Sequence, residues 1–273
     1  MQFNQRWFRD KLNQVATSCI RKVQRPLLQN NDCGYITLFH DFEGSYAWEG
    51  KEKVSYHGVT KLLDIEKKYN VKATYNVVGK LFEDYPEIIK RMIDEGHDLA
   101  SHSYNHKVIT DLSKKEIAND IQQSKTVFEK FGLNLQGFRA PQSRWSFALM
   151  CAILHNDLKW SAENDKADFP YIILRKGSNT LIRFPIKMDD WDYVDKYISA
   201  DQFRRKIEMK AKEVETKKSY GAIGFHPWVQ GESEDRLNTY EEFLERITNI
   251  PTLKIVTFEK MYSVVKKSAK RRL

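Results

Sequence analysis

The sequence predicts an α/β protein, a single (β/α) barrel of about seven strands. Three observations carry that expectation. Short apolar runs alternate with helically spaced patterns along nearly the whole chain, as parallel strands joined by helices require. A chain of 273 residues holding about seven such units suits one barrel better than an open sheet. Polar, chemistry-capable residues follow five of the strand-like runs, where a barrel gathers its working loops.

Each element has its own reason. Tyr35–Phe39 is rich in β-formers and ends at a polar cluster, so it reads as the first strand. Val59–Tyr69 carries helical spacing, and Lys72–Val78 (KATYNVV) reads as a strand. Pro86–Glu95 is helical and stops at Gly96, a C-terminal cap. His97–Ala100 is a short strand. Ser113 and Glu116 form an S-x-x-E capping box that opens a helix to about Phe131. Gln136–Phe138 is a short strand and Trp145–His155 a helix. Tyr171–Leu174 and Leu181–Phe184 read as strands, Asp201–Lys217 as a charged helix and Ala222–Phe225 as a strand. Tyr240–Ile247 is helical, Lys254–Thr257 a strand and Glu259–Lys267 a last helix.

Composition narrows the function. Apolar residues make up 41% and charged residues 30%, enough for a full core. No apolar run approaches the roughly 18 residues of a spanning helix. The N-terminal stretch lacks the apolar core of a secretory signal, and the three cysteines, Cys19, Cys33 and Cys151, form no C-x-x-C pair. They read as reduced thiols, so the expected location is cytoplasmic. Of the net charge of +8, residues 1–26 supply +5 through Arg6, Arg9, Lys11, Arg21, Lys22 and Arg25 against Asp10. Lys266, Lys267, Lys270, Arg271 and Arg272 supply another +5, leaving −2 for the rest. That distribution argues against a nucleic-acid enzyme, whose positive field would surround its working surface. Residues 1–30 therefore read as a basic arm, and 31–273 as the barrel domain. Phe8, Leu12, Val15 and Cys19 share one helical face of the arm, which permits peripheral contact with an anionic membrane at its inner face, alongside the simpler reading of a solvated arm.

The chemistry sits after the strands. His102 and His106 are four apart, which in a helical turn puts both imidazoles within reach of one metal ion. Asp41 and Glu43 are two apart after a strand, so both point into the barrel mouth while His40 points away. Two imidazoles and a carboxylate make a facial metal site with open positions, and a second carboxylate beside it can act as base. Such a triad also suits the Fe(II) of an oxygenase, a reading that Arg139 and His226 at other strand ends do not favour. His57, His97 and His155 read as structural. No G-x-S-x-G elbow or Walker loop occurs.

The order of these clusters resembles the polysaccharide deacetylases, carbohydrate esterase family 4 with the NodB-homology fold, which implies a deformed, TIM-barrel-like (β/α) barrel. The resemblance runs from about residue 34 to 265. DFEG at Asp41–Gly44 resembles the first motif, with one residue inserted between the acids. HSYNH fits the second motif, H-S-x-x-H, and FRAPQS supplies Arg139 and Pro141 of the third. Asp190-Trp191 fits the fourth, IGFH with His226 the fifth, and TFEKMYSVV resembles the closing strand and helix.

That resemblance implies roles. Asp41 would be the general base, oriented by Arg139. Glu43, His102 and His106 would hold a divalent metal, usually Zn2+ in this family. The backbone N–H of Gln142 would help stabilise the oxyanion. Asp190 would tune His226, which would protonate the leaving amine, and Trp191 and Phe225 would line the pocket for the acetyl methyl. Glu43 stands where the family more often has Asp, and Gln142-Ser143 where it often has an aromatic residue and Gly. The implied function is metal-dependent removal of an acetyl group from an N-acetylated sugar or glycan precursor, nucleotide- or lipid-linked. The alternative is a degenerate barrel that binds glycan without turning it over.

Overall fold

The computed structural model describes Val15, residues 26–28 and residues 32–270. Its centre is a ring of parallel strands. In chain order these are β1 (Gly34–Phe42), β2 (Thr74–Val77), β3 (Asp98–Ser101), β4 (Gly137–Phe138), β5 (Trp160–Asn164), β7 (Asn179–Ile186) and β9 (Tyr220–Phe225). Each pairs in parallel with its neighbour from β7 through β5, β4, β3, β2 and β1 to β9. β7 lies alongside β9, with the Phe184 and Tyr220 rings 5.9 Å apart, yet no backbone ladder joins the two among the described residues. That open seam is the deformation of the expected seven-stranded barrel. Outside the ring, β6 (Tyr171–Lys176) runs antiparallel to β7, β8 (Met188–Asp189) pairs with β9, and β10 (Leu253–Ile255) pairs with the start of β1.

Strand alternation divides the core in two. Phe39, Ala100, Trp160, Ala162, Ile182, Phe184, Tyr220 and Ala222 fill the barrel interior. Ile36, Leu38, Phe42, Tyr75, Val77 and Ile223 point outward against the helices. The main outer helices are α1 (Glu52–Lys68), α3 (Pro86–Asp94), α4 (Lys114–Lys130), α5 (Phe147–His155), α7 (Ala200–Thr216) and α9 (Glu234–Thr248). Short α2 (Leu81–Asp84), α6 (Asp192–Asp195) and α8 (Pro227–Gln230) follow strands or turns. The capping box forms as the sequence requires: Ser113 Oγ accepts from Glu116 N at 3.3 Å and Glu116 Oε2 accepts from Ser113 N at 2.7 Å. Gly96 takes φ +79° after α3, the left-handed stop that glycine supplies.

The last helix, α10 (Phe258–Lys270), seals the floor. Phe258 N donates to Thr74 Oγ1 at 2.9 Å and Glu259 N to Asp98 Oδ2 at 3.1 Å, so its N-terminus meets the N-terminal ends of β2 and β3. The Phe258 ring enters the barrel against Trp160 at 4.9 Å and Phe184 at 5.2 Å. The opposite, C-terminal mouth stays open for chemistry.

Three elements differ from the sequence expectation. β5 has no apolar β-rich run, because only Trp160 and Ala162 face inward while Ser161 and Glu163 meet polar partners outside. α1 begins seven residues before Val59, at Glu52. β8 is a two-residue strand beside β9. Of the basic arm, Leu27 and Leu28 are buried on the barrel, Pro26 is half-buried and Val15 is exposed, and the other residues lie outside the described ones. Among the described residues, no helix is long and apolar enough to cross a membrane.

Candidate active site

Parity along β1 builds one side of the mouth. Asp41 faces the barrel axis and is 1% exposed. Its Oδ1 accepts from Asn76 Nδ2 on β2 at 2.8 Å, and its Oδ2 accepts from Arg139 Nε, just after β4, at 2.6 Å. Burial alone would raise the Asp41 pKa, but Arg139, then His102 and His226, outweigh it and hold the carboxyl below its ordinary value. The Arg139 guanidinium lies over the Phe39 ring at 5.1 Å, and its Nη1 donates to Ser143 Oγ at 2.7 Å. Gly224 makes room for that floor: a Cβ there would stand 2.3 Å from Phe39 Cζ.

Glu43, His102 and His106 converge beside Asp41, with ligand atoms within 4.8 Å of one another. Glu43 Oε1 faces His106 Nε2 at 2.9 Å and His102 Nε2 at 3.3 Å. Glu43 Oε2 accepts the Trp228 indole N–H at 3.0 Å. His102 Nδ1 donates to the Arg139 carbonyl at 2.9 Å, which fixes the ring and turns Nε2 toward Glu43. Burial opposes ionisation of Glu43, but its contacts with His102 and His106 hold it well below the usual carboxylate range. The three residues fit a divalent metal in donor chemistry and in convergence.

The two histidines do not meet on a helix, as their spacing alone suggested. Residues 102–106 form a loop in which Ser103 (φ +62°) and His106 (φ +59°) are left-handed. Gly79 N and Lys80 N donate to the carbonyls of Ser103 and Tyr104, and both Asp120 oxygens accept from Tyr104 N, which pins the turn. Gln142 and Ser143 are likewise left-handed, at φ +57° and +51°. The tight turn is thus kept without glycine, at a backbone strain of about 1–3 kcal/mol per residue.

His226 closes the other side. Its Nδ1 donates to Asp190 Oδ1 at 2.6 Å, and Asp190 Oδ2 accepts from His226 N at 2.9 Å and Gln230 Nε2 at 2.6 Å. Nε2 is left facing Asp41 Oδ2 at 3.6 Å. Burial would lower the His226 pKa, but Asp190, with Glu43 and Asp41, pushes it up to about 10. Trp191 sits 5.7 Å from the His226 ring, and the Gln142 side chain is exposed on its turn.

One sequence-chosen residue stands elsewhere. Phe225 is on the outer face of β9, packed on Tyr240 at 4.6 Å, His40 at 5.7 Å and Phe203 at 6.2 Å. Odd–even alternation puts it opposite Gly224, so it does not line the mouth. Sequence reasoning also gave no role to Asn76, Trp228, Gln230 or Glu163. Asn76 had a signal, a polar residue at the inward parity of KATYNVV. The others are legible only from their contacts.

Known proteins resemble the chain in sequence and in fold. Residues 52–156 match the polysaccharide deacetylase family model. A peptidoglycan-N-acetylglucosamine deacetylase of Bacillus cereus is 27% identical over 178 residues, 60% of this chain and 62% of that protein. A peptidoglycan-N-acetylmuramic acid deacetylase of Bacillus subtilis is 34% identical over 94 residues, 31% of this chain and 36% of that one. The chain thus spans less than two thirds of the length of either relative. In fold, a chain from Mycobacterium smegmatis assigned to the polysaccharide deacetylases aligns with a TM-score of 0.80 at 17% identity, covering 89% of this chain and 94% of its own. An allantoinase aligns with a TM-score of 0.79 at 12% identity, covering 88% and 92%. Residues 52–156 thus resemble the polysaccharide deacetylase family in sequence, and nearly nine-tenths of the chain shares the fold of a solved polysaccharide deacetylase.

Proposed function

We propose that the protein is a metal-dependent hydrolase that removes the acetyl group from an N-acetylated sugar in a glycan. The observation that carries the reading is the convergence of Glu43, His102 and His106 beside an Asp41 held by Asn76 and Arg139. A divalent cation on the triad, Zn2+ by the family resemblance, would supply Lewis-acid polarisation and an acidified water.

The chain's own groups supply the rest. Asp41 is ionised and aimed by two hydrogen bonds, so it takes the proton of the attacking water. Arg139 holds that carboxylate still and keeps it a base rather than a second ligand. The N–H of Gln142 at the turn after β4 donates to the developing oxyanion. His226, held protonated by Asp190, gives a proton to the leaving nitrogen through Nε2. Trp191 beside it borders the acetyl methyl. Amide hydrolysis needs both a base and an acid, and the 3.6 Å between Asp41 and His226 puts them at one reacting centre.

The curated relatives act on peptidoglycan N-acetyl sugars by name, which supports a glycan substrate here. The basic ends support a lipid-linked precursor at an anionic membrane over a nucleotide-linked one. Flotation with phosphatidylglycerol vesicles tests that point. Loss of flotation on removing residues 1–26 supports it, and equal flotation counts against it.

The central experiment quantifies metal in protein purified without chelator, then acetate release from N-acetylated glycans. One equivalent of metal and acetate release are expected, with Asp41→Asn keeping metal and losing at least about 100-fold in kcat. Equal turnover by Asp41→Asn refutes the base assignment. Metal-free protein that still binds glycan supports the degenerate-barrel alternative.

A further inference from the structure

We infer that Trp48 is a stacking platform for the sugar ring next to the one whose acetyl group is attacked. The choice of ligand rests on the glycan deacetylase reading above.

Trp48 lies on the loop between Glu43 and α1 and is 47% exposed. It is not stranded on the surface. Its ring is 5.8 Å from Trp228 and 6.3 Å from Trp191, and those two are 5.8 Å from each other. Trp228 is buried and bonded to Glu43, and Trp191 stands against His226. The three indoles therefore form one apolar wall. It starts at the groups that bear the chemistry and ends in water at Trp48.

An exposed indole leaves apolar surface wet, which is unfavourable, and no core contact requires this one. Exposed aromatic surface continuous with a polar cleft marks a place where ligand is covered. A pyranose ring matches it. One face of the sugar is a sheet of C–H groups, which an indole takes by apolar burial and dispersion with little rotamer entropy lost. Its edge carries hydroxyls, and the cleft offers them polar partners. Asp189 pairs with inward Gly224 across β8 and β9, so its carboxyl faces the mouth. Lys51, tied to Glu232, rests over the Trp228 ring at 5.8 Å. One indole, Trp191, separates Trp48 from His226. A ring on Trp48 is then the neighbour of the sugar whose acetyl is attacked.

The test uses zinc-loaded protein carrying Asp41→Asn, which leaves ligand uncleaved, and calorimetric titration with N-acetylglucosamine and its two- and four-sugar oligomers. Affinity is expected to rise about tenfold or more from one sugar to two. Trp48→Ala should erase that gain while leaving monosaccharide affinity unchanged, and Trp48→Phe should keep most of it. With Asp41 intact, Trp48→Ala should raise KM for the tetramer with kcat unchanged. Absence of a length effect, or equal loss for monomer and oligomers, overturns the inference. Length-dependent binding that needs Trp48 without acetate release sinks the deacetylase reading and leaves the platform standing. Acetate release indifferent to Trp48 does the reverse.

Discussion

Trp228 donates its indole N–H to Glu43 Oε2 at 3.0 Å, and so turns the other oxygen of Glu43 toward His102 and His106. This contact answers how a glutamate serves where a shorter acid is the commoner choice. The extra methylene adds a torsion, and the indole removes the freedom it brings.

Trp228→Phe therefore keeps the ring but loses the donor. Metal affinity should fall about 10-fold or more, as when a group that orients a metal ligand is removed. Competition against a chelating dye measures it, and unchanged affinity would show that Glu43 orients itself.

The alkaline side of the pH profile should depend on Asp190. Burial lowers the His226 pKa and Asp190 raises it, so Asp190→Asn leaves burial less opposed. His226 then loses its proton at lower pH, and the alkaline limb of kcat/KM should move acidward by at least one unit. An unmoved limb in the zinc-loaded enzyme would take the acid role from His226.

Glu163 makes a stability prediction of opposite sign to the usual carboxylate. It is fully buried, accepts from Ala140 N at 2.9 Å, and burial pushes its pKa up to about 7 against the charges of Arg183 and Arg139. The folded state thus holds a proton that the unfolded state sheds above about pH 4.5. Its contribution is full below that pH and is lost as pH rises through about 7, by up to about 3 kcal/mol. Glu163→Gln keeps the acceptor for Ala140 and removes the titration. Its urea midpoint should fall less than the parent's between pH 5 and 8, and parallel curves would refute the shift.

Behind Asp41, on the outer face, Glu66 takes three hydrogen bonds of 2.6 Å from His40 Nε2, Tyr75 and Tyr240. All four side chains are essentially fully buried. Glu66→Ala leaves three buried donors without their acceptor and should destabilise by about 3–5 kcal/mol in urea unfolding. A loss below about 1 kcal/mol would mean the network relaxes onto water.

Much of this was legible because strands and caps are local. The alternation of Asp41 and Glu43 against His40, the Ser113–Glu116 box and the Gly96 stop follow from period and backbone freedom alone. β5 was hidden because its outward residues, Ser161 and Glu163, are polar and find partners only in the fold. The resemblance made Phe225 a pocket residue, but neighbours in a strand face opposite sides, and Phe225 takes the outer one.

By itself the sequence determined the barrel, the order of its chemical clusters and the residue types able to hold a cation and move protons, since these depend on periodicity and side-chain chemistry. Tertiary structure alone decided that His102 and His106 meet through a left-handed loop and that Trp228 aims Glu43. It also decided that Trp48 and Trp191 share a wall with Trp228. Those relations join residues as much as 185 positions apart, and separation along the chain carries no distance until the ring of strands closes.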